Sequence, residues 1–472
     1  MRRINRWGGL ATAGVALTLA ACQAGDGTTH ELDTSFSVPV EYYTLDNGLR
    51  VVLSPDHTAP IVTVAVYYNV GLRLEPRDRT GFAHLFEHLM FQGSENLGKW
   101  EFVRLVQENG GVLNGSTRMD FTNYFEIVPS HKLQTMLWAE ADRMRGLAIT
   151  QENLTNQQGV VSNEVKVNVL NQPYGGFPWL DMPQVANTNW YNAHNFYGEL
   201  SDLEAATLED VREFFHTFYA PNNAALAVVG DFDSAEARGW IETYFGPIAA
   251  GPEKPAFDIS EPRQEEEKRA SQVDALAPRP ALAFAYHTPE RNSPEYWAFG
   301  LIDQILVQGE DSWLYQRLVQ EDGFTAGVDG DINPLGNMYN YAGPMLWTVS
   351  LYHDPDVSAD DIMAAADDVV EQIRTTPVDE ETLARARTKL RSSLLNSIEG
   401  MFGFGRADLL ASFALFDDDP SRINRIEDEF EAVTPELILQ TAQEYLRPTN
   451  RTILTVEPGA APGGAAAGAG SR

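Results

Sequence analysis

His84 and His88 stand four residues apart in the run Phe82-Ala83-His84-Leu85-Phe86-Glu87-His88-Leu89-Met90. Apolar residues recur around them at helical spacing, so the run predicts a helix with both imidazoles on one face, one turn apart. Two imidazoles so placed suit a tetrahedral zinc ion. Glu87, one residue before the second histidine, points toward the same region, where a carboxylate can take a proton from polarised water and pass it to a leaving group. With nine histidines in 472 residues, this spacing arises by accident in about one chain in a hundred. Three polar side chains in an otherwise apolar helix also need a reason to be there.

A catalytic zinc takes three protein ligands and keeps one position open for water. The chain has a single cysteine, Cys22, so the third ligand is a carboxylate or another histidine. Spacing alone leaves Glu126, Glu140, Glu152 and Glu164 all open.

The elements that position these residues follow an α+β pattern. Strand-like segments (50–53, 62–68) alternate with helical ones (82–91, 100–109, 133–146), with Gly-rich or Pro-bearing turns between. A polar stretch at 251–272, with three prolines and the run Glu265-Glu266-Glu267-Lys268-Arg269, reads as a linker between a first domain at 37–250 and a second at 273–457. Thr207, Glu209, Pro221 and Asn223 recur as Thr434, Glu436, Pro448 and Asn450, each offset by 227. Both sets describe a helix ending before a Pro turn that launches an apolar strand, so the two domains are expected to be copies of one fold. The Gly/Ala-rich tail at 458–472 has too little apolar surface to order itself.

Residues 1–21 read as a signal peptide. Arg2, Arg3 and Arg6 form the charged start, and the apolar stretch from Trp7 to Ala21 is too short to span a bilayer comfortably. The stretch closes on Leu19-Ala20-Ala21-Cys22, which resembles a bacterial lipobox; the lone thiol would then carry lipid rather than a metal or a disulfide. By the same resemblance, Gln23 after the cysteine implies the outer membrane, with 22–36 as a polar tether and the folded body in the periplasm or at the surface. Removing the leader, which holds three arginines and no acid, takes the net charge from −33 to −36, a surface that excludes nucleic acid as a partner.

The His84–His88 motif, with Gly81 before it and Gln92-Gly93-Ser94 after it, resembles the pitrilysin/insulinase family of inverzincin peptidases, and its processing-peptidase-like members in particular. The resemblance runs through His194-Asn195-Phe196-Tyr197-Gly198 and Tyr219-Ala220-Pro221-Asn222-Asn223 and spans nearly all of residues 42–456. It implies a clam shell of two duplicated α/β-sandwich halves, each a mostly antiparallel sheet covered by helices. It also implies one zinc per chain, peptide substrates, and Glu87 as the general base. The family's third ligand lies 76 residues beyond the second histidine, which is Glu164, in Gln157-Gln158-Gly159-Val160-Val161-Ser162-Asn163-Glu164. Gln157 stands where the family usually has a glutamate, two helical turns before the ligand, so a weaker catalytic contribution is expected there. Gly110-Gly111-Val112-Leu113-Asn114-Gly115-Ser116-Thr117, followed by Asp120, Thr122 and Tyr124, resembles the family's substrate-binding edge strand, with Gly115 where alanine is usual. Asn114, Gly115, Ser116 and Thr117 are the expected substrate contacts.

In the second half the family often carries an arginine and, seven residues on, a tyrosine that donate to the substrate carbonyl; here those positions are Val319 and Ala326, and Trp313 stands in a usual Ser-Arg-Leu run. The expectation is an inactive repeat, and a partner subunit of the same fold, in a heterodimer or a homodimer, that completes the site. The alternative is a non-catalytic peptide-binding or assembly subunit that keeps a structural zinc, although such a subunit has no use for Glu87.

Overall fold

The computed structural model describes residues 37–459, so the leader at 1–21, Cys22, the tether at 22–36 and all but the start of the 458–472 tail lie outside the described residues. The first sheet holds β1 (Glu41–Thr44), β2 (Arg50–Pro55), β3 (Ile61–Tyr68), β4 (Val112–Thr117), β5 (Thr122–Pro129) and β6 (Ala224–Gly230), in the order β1-β2-β6-β3-β5-β4. The second holds β7 (Lys268–Asp274), β8 (Ala281–His287), β9 (Asp329–Ile332), β10 (Leu346–Tyr352) and β11 (Arg451–Pro458), in the order β7-β11-β8-β10-β9.

Strand for strand, five members of the first sheet repeat in the second. The pair β2 and β6 is parallel, as is β7 and β11; every other shared pairing is antiparallel. The repeated residues do the same work in both halves. Thr207 caps the helix Leu208–Phe218 and Thr434 caps Pro435–Tyr445. Asn223 Nδ2 donates to the carbonyls of Phe218 (2.8 Å) and Asn69 (3.3 Å); Asn450 Nδ2 donates to those of Tyr445 (2.7 Å) and His287 (3.1 Å). Each asparagine thus ties a helix end to the neighbouring strand just before β6 or β11 begins.

One face of the first sheet packs on α1 (Phe82–Leu89) and α3 (Leu133–Arg145) through Val64, Val66, Leu85, Phe86, Leu137 and Val228. The other face is covered from the second half by the helix Phe404–Phe416: Phe404 stacks on Phe125 at 3.8 Å, and Tyr67 donates to Asp408 at 2.7 Å. Cover on both faces explains why β3 is buried at every position after its first rather than alternating.

From Val38 the described chain forms one compact unit, and a buried ion pair pins its halves together. Arg73 donates to Asp120 Oδ1 (2.8 Å), to Asn192 and to the Pro344 carbonyl (2.8 Å). Asp120 Oδ2 accepts from the backbone of Ala342 (2.8 Å) and Gly343 (3.2 Å). Asp120 therefore belongs to the junction between the halves. Strand β7 begins at Lys268, inside the stretch 251–272 that reads as a linker. It is an edge strand whose polar, charged residues are compatible with its position, and its parallel pairing with β11 is set by residues nearly two hundred positions away.

Candidate metal centre

The helix α1 starts at a tightly built corner. Gly81 adopts φ +83°, and the buried Glu75 carboxylate accepts from the backbone of Gly81 (2.8 Å) and Ala83 (2.7 Å) at the helix N-terminus, where negative charge is favoured. Phe82, Leu85, Phe86 and Leu89 face the core, where Phe86 stacks on Phe214 and Tyr219, each at 4.9 Å. Burying that stripe turns His84, Glu87 and His88 to the opposite side. The helix α4 (Gln151–Val165) is capped by Thr150 and held against the end of α1 by Asn153, which donates to the Gln92 carbonyl at 3.3 Å. Its apolar residues Leu154, Val161 and Val165 are buried, which leaves Glu164 on the flank facing α1.

His84 Nε2 and His88 Nε2 lie 3.3 Å apart; Glu164 Oε1 is 3.5 Å from the first and Oε2 is 3.2 Å from the second. Bonds of about 2.05 Å at tetrahedral angles put neighbouring ligand atoms about 3.3 Å apart, close to the Nε2–Nε2 distance and to that from His88 Nε2 to Glu164 Oε2, so the two imidazoles and one carboxylate oxygen fit a single zinc ion. The side chains of His88 and Glu164 are 21% and 32% exposed, so one side of the cluster is open, as a catalytic site requires. Hydrogen bonds from the two histidines hold the Glu164 carboxyl well below the usual carboxylate range. Among the described residues this is the one group of three or more His, Cys, Asp or Glu side chains placed to hold a metal.

The other carboxylates have other work. Glu126 and Glu140 are buried around Arg143, which bonds Glu126 at 3.1 Å, also pairs with Glu140, and stacks on Phe102 at 4.0 Å. Glu152 is exposed in the first turn of α4. His194 is occupied by the carbonyls of Trp190 (3.0 Å) and Leu72 (2.9 Å).

Thr117 Oγ1 donates to Glu87 Oε2 at 2.6 Å, so the side chain of this residue, expected to touch substrate, meets the carboxylate of the expected base. Asn114 Oδ1 accepts from Gly115 N (3.0 Å), and Ser116 donates to Asn123 (2.5 Å). Ser116 and Thr117 are thus bonded within the fold and Asn114 is exposed, while the main chain of the segment forms the free edge of the sheet beyond β5. Gly115 sits where a Cβ would come within 3.1 Å of Tyr124 and 3.3 Å of Glu87. Gln157 is buried and donates to Asn156 at 2.8 Å; among the described residues it makes no hydrogen bond to the three clustered groups. Val319 is half-buried and Ala326 exposed, and neither brings a side-chain donor. Tyr197, to which sequence reasoning assigned no role, donates from its hydroxyl to Glu164 Oε1 at 3.0 Å. Burial beside that carboxylate pushes the phenol up to about 12.

Fold and site together define a two-domain α+β protein with a His-x-x-Glu-His run and a third carboxylate clustered as candidate metal ligands in its first half. The family descriptions agree: residues 50–174 match "Insulinase (Peptidase family M16)" and residues 205–390 match "Peptidase M16 inactive domain". The chain belongs to the M16 (insulinase/pitrilysin) peptidase family. It is 24% identical over 426 residues to the zinc protease PqqE of Helicobacter pylori, covering 89% of this chain and 93% of that one. It is 22% identical over 433 residues to the mitochondrial-processing peptidase subunit beta of Blastocladiella emersonii, covering 88% of each. A crystal structure of a protease from Helicobacter pylori superposes with a TM-score of 0.82 at 24% identity over 89% of this chain and all of that one. The first half of the periplasmic protease PqqL from Escherichia coli superposes at 0.71, 18% identical, over 90% and 93%. The two-sheet, clam-shell architecture is common to them.

Proposed function

We propose that the chain is a zinc-dependent metalloendopeptidase that hydrolyses peptides or unfolded protein segments. What carries this reading is the placement of His84, His88 and Glu164 at tetrahedral edge lengths, with Glu87 between the two histidines and an open strand edge beside it. One zinc ion held there would polarise a scissile carbonyl and bring the pKa of water near neutrality. Thr117 occupies Glu87 Oε2 and leaves Oε1 to take up a proton and return it to the departing amine nitrogen. The main chain of Asn114–Thr117 pairs with substrate as an added strand, which recognises backbone rather than sequence.

The second half offers no donor at Val319 or Ala326, so a partner of the same fold, a second copy or a homologous chain, completes the oxyanion-binding side of the site. Cys22 anchors the chain by lipid to the outer membrane, with the catalytic body in the periplasm or at the surface. The test is cleavage of a mixed quenched-peptide library by the purified chain, with and without a chelator, and as Glu87→Gln. Loss of turnover in both controls supports the reading; undiminished turnover by Glu87→Gln refutes it. Bound zinc without turnover would instead point to the missing partner or to a non-catalytic peptide-binding subunit, either of which fits the missing donors of the second half.

A further inference from the structure

Glu164 is held by more than the two histidines. The Tyr197 hydroxyl donates to its Oε1 at 3.0 Å, and the Tyr197 ring lies 5.0 Å from that of His84. One side chain thus touches a group on α4 and a group on α1. Trp179 braces the same ring edge-on at 5.5 Å. Asn168, in the π-helical turn Lys166–Leu170 that follows Glu164, reaches the same hydroxyl; such turns recur at functional sites.

The backbone under Tyr197 is equally constrained. Its amide donates to Asn195 Oδ1 at 3.1 Å. Gly198 adopts φ +88° and lies so close to Gly81 that a Cβ would stand 2.5 Å from the Gly81 Cα. The Tyr197 loop is therefore locked to the first residue before the histidine helix. His84 Nδ1, by contrast, is buried with no hydrogen-bond partner among the described residues, so no bond at Nδ1 fixes that imidazole, and the Tyr197 ring packs on it.

We infer, on the zinc reading above, that Tyr197 is a positioning residue for the metal ligands: it holds Glu164 Oε1, turns Oε2 toward the cation, and braces His84. Without it a carboxylate one-third exposed is free to rotate or to ligate through both oxygens. Loss of such an outer contact typically weakens metal binding by about 10–100-fold.

The test is zinc affinity, measured by competition with a chromophoric chelator for the purified chain, for Tyr197→Phe and for Trp179→Leu. Tyr197→Phe is expected to bind zinc about 10–100-fold more weakly, to alter the visible spectrum of the cobalt(II) form, and to melt like the parent when metal-free. Trp179→Leu disturbs the same ring but leaves the hydroxyl, and is expected to weaken binding far less. Affinity of Tyr197→Phe within about two-fold of the parent overturns the inference, as does an equal loss in Trp179→Leu, which would make the role one of packing. A parent chain that binds no zinc refutes the zinc reading itself, and the inference with it.

Discussion

Thr117→Val separates two roles that one residue can play in this site. The Thr117 hydroxyl is 2.6 Å from Glu87 Oε2. Valine keeps the shape and the strand preference of threonine, so the substitution deletes one hydrogen bond to a carboxylate and little else. A bond to a charged group contributes about 1.5–3 kcal/mol. At about 1.4 kcal/mol per decade of rate, a base that must be aimed in the transition state loses about 10–100-fold in kcat. Thr117 touches none of the three clustered groups through its hydroxyl, so zinc content is expected to stay that of the parent.

The assay is steady-state cleavage of one peptide selected from the library, with zinc content and melting temperature measured on the same preparation. The expected result is a fallen kcat with KM changed by less than about three-fold, because uniform substrate binding is untouched. A raised KM with unchanged kcat would show that the side chain reads substrate and would refute the reasoning from the Glu87 contact. No change in either would refute both roles.

Three further outcomes follow from the packing. Asp120→Asn leaves the buried Arg73 guanidinium without its charge partner and is expected to lower stability by about 3–5 kcal/mol; an unchanged urea midpoint would count against the junction. Burial and the neighbouring Glu140 hold Glu126 well above the ordinary carboxylate range, so its contribution is full below the unfolded value of about 4.3 and is lost as pH rises through the folded value. Glu126→Gln is expected to flatten the fall of the urea midpoint as pH rises above the unfolded value of about 4.3, and parallel pH profiles would refute this. The isolated first half, 37–250, exposes the β3 and β5 face that Phe404–Phe416 covers and is expected to aggregate or bind a hydrophobic dye; a monomeric, cooperatively melting fragment would overturn that.

Much of this was legible because the information is local. The histidine helix shows its apolar stripe in eight residues, and the repeated Thr, Pro and Asn mark caps and turns whose bonds lie within a few residues. The third carboxylate was not legible from spacing, since Glu126 and Glu140 are set apart from Glu164 by facing Arg143; the i,i+3 spacing of Glu140 and Arg143 on α3 hints at one of those pairs, and nothing local announces the other. Only the family resemblance selected Glu164. Tyr197 and the Arg73–Asp120 junction depend on contacts across 33 and 47 residues, and β7 on a strand far along the chain. Thr117 was placed in the right strand but without its bond to Glu87, because alternation in a strand says which face a side chain takes and not which neighbour meets it there.

The two halves show what a duplicated scaffold requires and what it leaves free. The shared asparagine ties, capping threonines and strand order serve the sheet, and both copies keep them. In the second half, the helix Pro294–Leu306 lies beside its sheet and is buried almost all round, and its polar Asp303 accepts from Trp347 of β10 at 2.8 Å. That carboxylate is turned into its own sheet, and burial raises its pKa to about 6. In the first half, α1 buries His84 along with its apolar stripe and leaves Glu87 and His88 half-buried, the three polar groups facing α4 and the free edge of β4. The two helices differ less in how much of each is buried than in what their polar groups face: Asp303 meets its own sheet, whereas His84, Glu87 and His88 meet α4 and the free strand edge. The second half, which reaches across through Phe404–Phe416 to cover the first sheet, supports the site by closing the core beneath it.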